Sequence, residues 1–176
     1  WSSNVKFENG QLMVAGKSAT DLAREFGTPS FILDEADFKS RAIAFRDAMN
    51  SAFASALVYY ASKAFTCKEV LRWIKDLGMG VDVATGGELE VALAVDFPPA
   101  KIQVHGNNKS IAEIERAVEV GVGNIVIDSM WEISRVAAAA NKFGKKQAVM
   151  ARLNPGVEAD RKSTRLNSSH EWISRM

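Results

Sequence analysis

Between residues 30 and 159, short apolar runs alternate with longer amphipathic stretches, and a polar residue stands at or near the end of each run. The runs are expected as strands at 30–33, 57–61, 80–83, 102–104, 125–127 and 148–151. Helices are expected between them at 36–51, around Val70, Leu71, Ile74 and Leu77, and at 88–95, 111–120 and 130–143. Gly78, Gly121 and Gly144 stand where the second, fourth and fifth of these helices would stop. Strands apolar on both faces, separated by helices, call for a parallel sheet covered by helices. The strand-end residues keep the same period. Lys63 to Asp82 is 19 residues, Asp82 to His105 and His105 to Asp128 are 23 each, and Asp128 to Arg152 is 24. In parallel barrels and in open doubly wound sheets, the carboxyl ends of the strands form the functional face.

Four segments fit a capping box in phase with these strands: Thr66 to Glu69, Thr85 to Glu88, Ser110 to Glu113 and Ser129 to Glu132. Residues 1–29 are different. Residues 11–15 alternate weakly, like an edge strand between turns at Gly10 and Gly16. A short helix starts near Ser18, carries Leu22, Ala23 and Phe26, and stops at Gly27.

Composition narrows the function classes. The chain has 176 residues, a formal net charge of +1 and one cysteine, Cys67. Such a charge implies neither nucleic acid nor a membrane surface as partner. One cysteine rules out a disulfide framework and fits a reducing, cytoplasmic setting. No apolar run approaches the roughly 20 residues of a membrane span. The chain opens at Trp1 rather than Met, so a fragment is expected. Residues 160–176 lose apolar density and period. They read either as a basic disordered tail or, by resemblance to a translated short-read sequencing adapter, as a non-native scar. Without them Lys+Arg falls from 22 to 18 and Asp+Glu from 21 to 19, for a charge near −1, and His105 is the remaining histidine.

Each strand-end residue has two readings. Lys63 follows Tyr59-Tyr60-Ala61 and precedes Ala64-Phe65. It is either a solvated strand-end lysine or an amine among apolar walls, where deprotonation prepares it for imine formation with an aldehyde. Asp82, in Gly80-Val81-Asp82-Val83-Ala84-Thr85-Gly86-Gly87, is either a capping acid or a carboxylate facing the same mouth as Lys63. His105 is a structural hydrogen-bonder or a mouth residue. Arg152 is a surface cation or the partner of an anion in the mouth, such as Asp82 or a cofactor oxygen. With so few histidines and cysteines a zinc site is not expected, and no nucleotide-binding glycine motif is present.

The blocks Tyr60-Ala61-Ser62-Lys63-Ala64, Gly80 to Leu89, His105-Gly106-Asn107-Asn108-Lys109-Ser110 and Arg152-Leu153-Asn154-Pro155-Gly156-Val157 resemble, in order and spacing, the diaminopimelate decarboxylases. These belong to the alanine-racemase-like fold type of pyridoxal-phosphate enzymes, and the actinobacterial forms are the most similar. The resemblance covers residues 5–159. It implies an α/β fold, an incomplete (β/α)8 TIM-type barrel at 30–159 with about six strands present and a carboxyl-terminal β-domain missing. The amino-terminal segment, 1–29, would pack with that β-domain. Pyridoxal 5'-phosphate is the implied cofactor. Lys63 is implied as the residue that holds it, with Asp82, His105 and Arg152 as cofactor-binding residues and Glu88 behind them.

The implied reaction is decarboxylation of meso-2,6-diaminopimelate to L-lysine and CO2 by a homodimer acting on a small amino acid. Other readings are an ornithine- or arginine-type decarboxylase, a racemase of the same fold, or a non-catalytic pyridoxal-phosphate-binding barrel. The last group normally has no β-domain, so a strand at 11–15 weighs against it. The family's later cofactor-stacking histidine and glycine-rich phosphate loop have no counterpart here. The 176 residues by themselves are therefore expected to lack decarboxylase activity and to expose unpaired sheet edges.

Overall fold

The computed structural model describes residues 2–153. The chain opens with a three-stranded antiparallel meander: β1 (Val5–Glu8), β2 (Gln11–Val14) and β3 (Lys17–Ser18), in that order. Two-residue turns join the strands. Asn9-Gly10 and Ala15-Gly16 all have positive φ, between 49° and 82°, the geometry that matches the twist of a tight hairpin. The strand expected at 11–15 thus exists, but it is the central strand of a small sheet and not an edge. An Asn-Gly between short alternating runs is the signal that identifies the hairpin.

Helix α1 (Ala19–Phe26) follows, capped by the Ser18 hydroxyl, which accepts from the Asp21 amide at 3.0 Å. It stops at Gly27, where φ is +80°. The meander is tied to the next helix, α2 (Glu35–Ala52), through two carboxylates. Asp34 accepts from the Ser2 hydroxyl and the Asn4 amide group, and Asp37 accepts from the Ser3 amide and from Arg41. These bonds hold both carboxyls below the ordinary carboxylate range.

The strand expected at 30–33 does not form. Phe31 is 96% exposed, and this stretch is hydrogen-bonded into neither sheet. An apolar run becomes a strand only where a neighbour completes its ladder. Helix α2 is as expected, but its apolar face is only half covered. Phe38 and Ala42 pack on the core, whereas Phe45 and Met49 stay exposed.

From residue 59 the repeat runs as expected: β4 (Tyr59–Ala61), α3 (Lys68–Asp76), β5 (Gly80–Val83), α4 (Gly86–Leu93), β6 (Ile102–Val104), α5 (Ile111–Val120), β7 (Asn124–Ile127), α6 (Met130–Phe143) and β8 (Val149–Ala151). The five strands are parallel and in chain order, β4-β5-β6-β7-β8. The parallel sheet of the described residues therefore has five strands rather than six.

Side-chain alternation divides this sheet into two faces. Val81, Val83, Ile102, Val104, Ile125 and Ile127 join Leu71, Ile74, Leu89 and Ile114 in one core between sheet and helices. Each such aliphatic side chain contributes about 1.5–3 kcal/mol on burial. The intervening residues Ala61, Asp82, Gln103 and Val126 lie on the other face. Two glycines permit close approach. A Cβ at Gly80 would stand 2.6 Å from the Tyr59 ring, and one at Gly123 would stand 2.2 Å from the Ala100 carbonyl oxygen.

Of the four capping boxes, two close. Thr85 with Glu88 and Ser110 with Glu113 make both reciprocal bonds. At the other two the residues have other partners. The Thr66 hydroxyl donates to the Ser62 carbonyl at 2.6 Å, Cys67 takes the cap position, and Glu69 accepts from Arg72 and the Trp73 indole. Ser129 makes no side-chain cap bond, and Glu132 turns inward to Lys109.

Candidate active site

The carboxyl ends of β4, β5 and β6 bring three of the four expected residues together. Beyond β4 the chain makes a single 3-10 turn, Ser62–Ala64. The Tyr60 hydroxyl, donating to the Phe65 carbonyl at 2.8 Å, closes the turn from outside. Lys63 is on this turn with its side chain exposed. Ala61 is in register with Asp82, and Asp82 with Gln103. Asp82 Oδ1 is 3.5 Å from His105 Nε2. The Gln103 side-chain nitrogen is 2.8 Å from that same ring nitrogen. A ring nitrogen that accepts from Gln103 has no proton for Asp82, and Asp82 Oδ1 is buried without a hydrogen-bond partner among the described residues.

Burial pushes the Asp82 carboxyl up from its ordinary value. His105, when its ring is protonated, and Lys63 pull against this, and Glu88 adds to it. Lys63 therefore acts electrostatically on Asp82. Glu88 has partners of its own: one carboxylate oxygen accepts from the amides of Ala84 and Thr85 at 2.6 and 3.0 Å. It shapes the turn after β5.

Arg152 stands apart from these three. It follows β8, three strands from β5, and its guanidinium donates to Asp128 Oδ1 at 3.1 Å rather than to Asp82. Its own amide continues the ladder by donating to the Ile127 carbonyl. The order of strands explains this, because Asp128 ends the adjacent strand and Asp82 does not. Cys67, at the start of α3, is partly buried.

Two members of this region were not singled out from sequence. Gln103 had a readable signal, a polar residue between Ile102 and Val104 in a strand otherwise apolar. Ser62 had none. Its hydroxyl is buried beside Lys63 without a partner among the described residues. A cleft of about 480 Å³ lies elsewhere, lined by Leu12, Val14, Leu22, Phe31 and Ile32 among others, and none of the four expected residues borders it. Among the described residues no helix is long and apolar enough to cross a membrane.

The donor set fits a pyridoxal group. It offers an accessible amine for an aldehyde, and two buried oxygens, on Asp82 and Ser62, that still need partners.

Known proteins point the same way. The family described as pyridoxal-dependent decarboxylase, pyridoxal binding domain, matches residues 36–172. The diaminopimelate decarboxylase of Mycobacterium tuberculosis (strain H37Rv) is 48% identical over 175 residues, which is 99% of this chain and 37% of that protein. The chain thus spans little more than a third of the length of this relative. The crystal structure of diaminopimelate decarboxylase from M. jannaschii in complex with L-lysine superposes with a TM-score of 0.81 at 29% identity, covering 96% of this chain and 39% of that one. The lysine/ornithine decarboxylase of Vibrio vulnificus complexed with cadaverine has the same fold, with a TM-score of 0.68 over 87% of this chain and 41% of its own. With its parallel strands, alternating helices and strand-end lysine, this chain belongs to the pyridoxal-dependent decarboxylase family, in its pyridoxal-binding domain.

Proposed function

We propose that the chain supplies the lysine-bearing side of a pyridoxal phosphate site. We propose further that the protein it belongs to decarboxylates meso-2,6-diaminopimelate to L-lysine and CO2. One observation carries the reading: Lys63, exposed one turn beyond β4, lies near enough for its charge to act on Asp82, a carboxylate with an oxygen that has no hydrogen-bond partner among the described residues. The 48% identity to a diaminopimelate decarboxylase supports the choice of substrate.

Lys63 would hold the cofactor through Nζ, the accessible amine of the mouth. Asp82 faces the same mouth and offers its free oxygen to a cationic or hydrogen-bond-donating edge of the ligand. His105 lies beside Asp82 and, when protonated, stabilises its charge. Arg152, oriented by Asp128, presents a guanidinium at the far end of the mouth, suited to an anionic oxygen. When bound, pyridoxal phosphate supplies a conjugated ring that accepts the electron pair left as the Cα–carboxylate bond breaks. Lys63 Nζ, when not bonded to the cofactor, would be placed to carry a proton to or from the reacting carbon.

In a protein that contains this segment with the rest of its chain, conversion of meso-2,6-diaminopimelate to L-lysine with release of CO2 is expected. Lys63→Ala should abolish it. Normal turnover in that variant would refute the role of Lys63. Cofactor uptake without any decarboxylation would favour a pyridoxal-binding protein that is not an enzyme. The family resemblance also supports a two-subunit assembly, which sedimentation of that longer protein would test. The single cysteine supports a reducing, cytoplasmic location, which fractionation would test.

A further inference from the structure

Behind the mouth lies an ion pair that the chemistry above does not use. Lys109 Nζ is 3.0 Å from Glu132 Oε1, and the two side chains are only 2% and 3% exposed. They come from different repeats: Lys109 lies in the loop from β6 to α5, and Glu132 in the first turn of α6. Each makes a second bond to backbone. Lys109 Nζ donates to the Gly106 carbonyl, one residue beyond His105. Glu132 Oε2 accepts from the Asp128 amide at 2.8 Å. Gly106 has a φ of +111°, and a Cβ there would meet the Ala84 carbonyl oxygen at 3.2 Å and Lys109 Cγ at 3.6 Å.

Burying two charges is a poor way to gain stability, because desolvation opposes the attraction. The gain is geometric. One pair fixes the backbone just after His105 and the backbone of Asp128, which in turn holds Arg152. We propose that Lys109 and Glu132 are positioning residues that set the places of His105 and of the Asp128–Arg152 pair for cofactor binding. This rests on the pyridoxal-site reading above.

The test compares the parent protein, as the longer chain that carries this segment, with Lys109→Met/Glu132→Met. Apolar replacements of similar volume commonly leave a fold intact where a buried ion pair stood. The double variant is expected to unfold within a few degrees of the parent. Its half-saturating pyridoxal phosphate concentration should rise about 10-fold or more, as misplaced site groups do. A merely structural pair would not separate folding from cofactor affinity in this way. A folded double variant with unchanged half-saturation overturns the proposal. Should the double variant not fold, Glu132→Gln carries the test. It retains an oxygen for the Asp128 amide and loses the charge, and the same rise or its absence decides.

Amide exchange without cofactor separates this proposal from the functional reading. Exchange at His105 and Asp128 is expected to be about 10-fold faster in the double variant. Unchanged exchange at both sinks the positioning role even if the parent never takes up cofactor. Failure of the parent alone to take up cofactor sinks only the functional reading.

Discussion

The mouth and the layer directly behind it are built from the same kinds of residue and behave oppositely. At the mouth, Lys63 is exposed, Asp82 keeps an oxygen without a donor, and the Ser62 hydroxyl has no partner among the described residues. Behind it, three carboxylates have partners. Glu88 holds the amides of Ala84 and Thr85. Glu113 accepts from the Gly86 amide at 2.8 Å and from Ser110. Glu132 holds Lys109 and the Asp128 amide. Buried polar groups normally find partners. Carboxylates bonded to backbone therefore mark the frame, and the unsatisfied oxygen of Asp82 marks the side that a ligand would complete.

Substitutions on the two sides should differ in sign. The largest effect is expected behind the mouth. Lys109→Met alone leaves the Glu132 carboxylate buried without its cation, and denaturant unfolding should show a loss of about 3–5 kcal/mol. At the amino end of β7, outside both regions, Gly123→Ala forces a Cβ against the Ala100 carbonyl, and a loss of about 1–3 kcal/mol is expected. Ser110→Ala opens a formed capping box and should cost about 1 kcal/mol.

At the mouth the sign reverses. Burial raises the folded-state pKa of Asp82 above its unfolded value of 3.8. The stability linked to this group is complete below 3.8 and declines as pH rises through the folded value. Asp82→Asn should therefore raise the unfolding midpoint at neutral pH, and the gain should vanish in acid below 3.8. The same variant should bind pyridoxal phosphate less well. A loss of stability at neutral pH would erase the contrast between the two regions.

Much of this arrangement was legible in the chain. The period of strand-end residues placed Lys63, Asp82 and His105 at one sheet end because parallel strands in chain order put successive ends side by side. The same reasoning could not say which end residues would touch. Arg152 pairs with Asp128 because β8 adjoins β7, whereas a single pattern of apolar runs treats all strand ends alike. The strand expected at 30–33 failed for a related reason: an apolar run specifies burial or pairing, not the neighbour that provides it. Val149 and Met150 in β8 are about half exposed for want of such a neighbour among the described residues. The Lys109–Glu132 pair was invisible because Glu132 matched a capping box equally well, and only packing decides between a cap and a buried partner.

The most direct measurement is to incubate the protein with pyridoxal phosphate, reduce with borohydride, digest, and locate the added mass by peptide sequencing. The tag is expected on Lys63 alone, and absent from Lys63→Ala. A tag spread over surface lysines, or one that survives intact in Lys63→Ala, would contradict the reading of this mouth as a pyridoxal site.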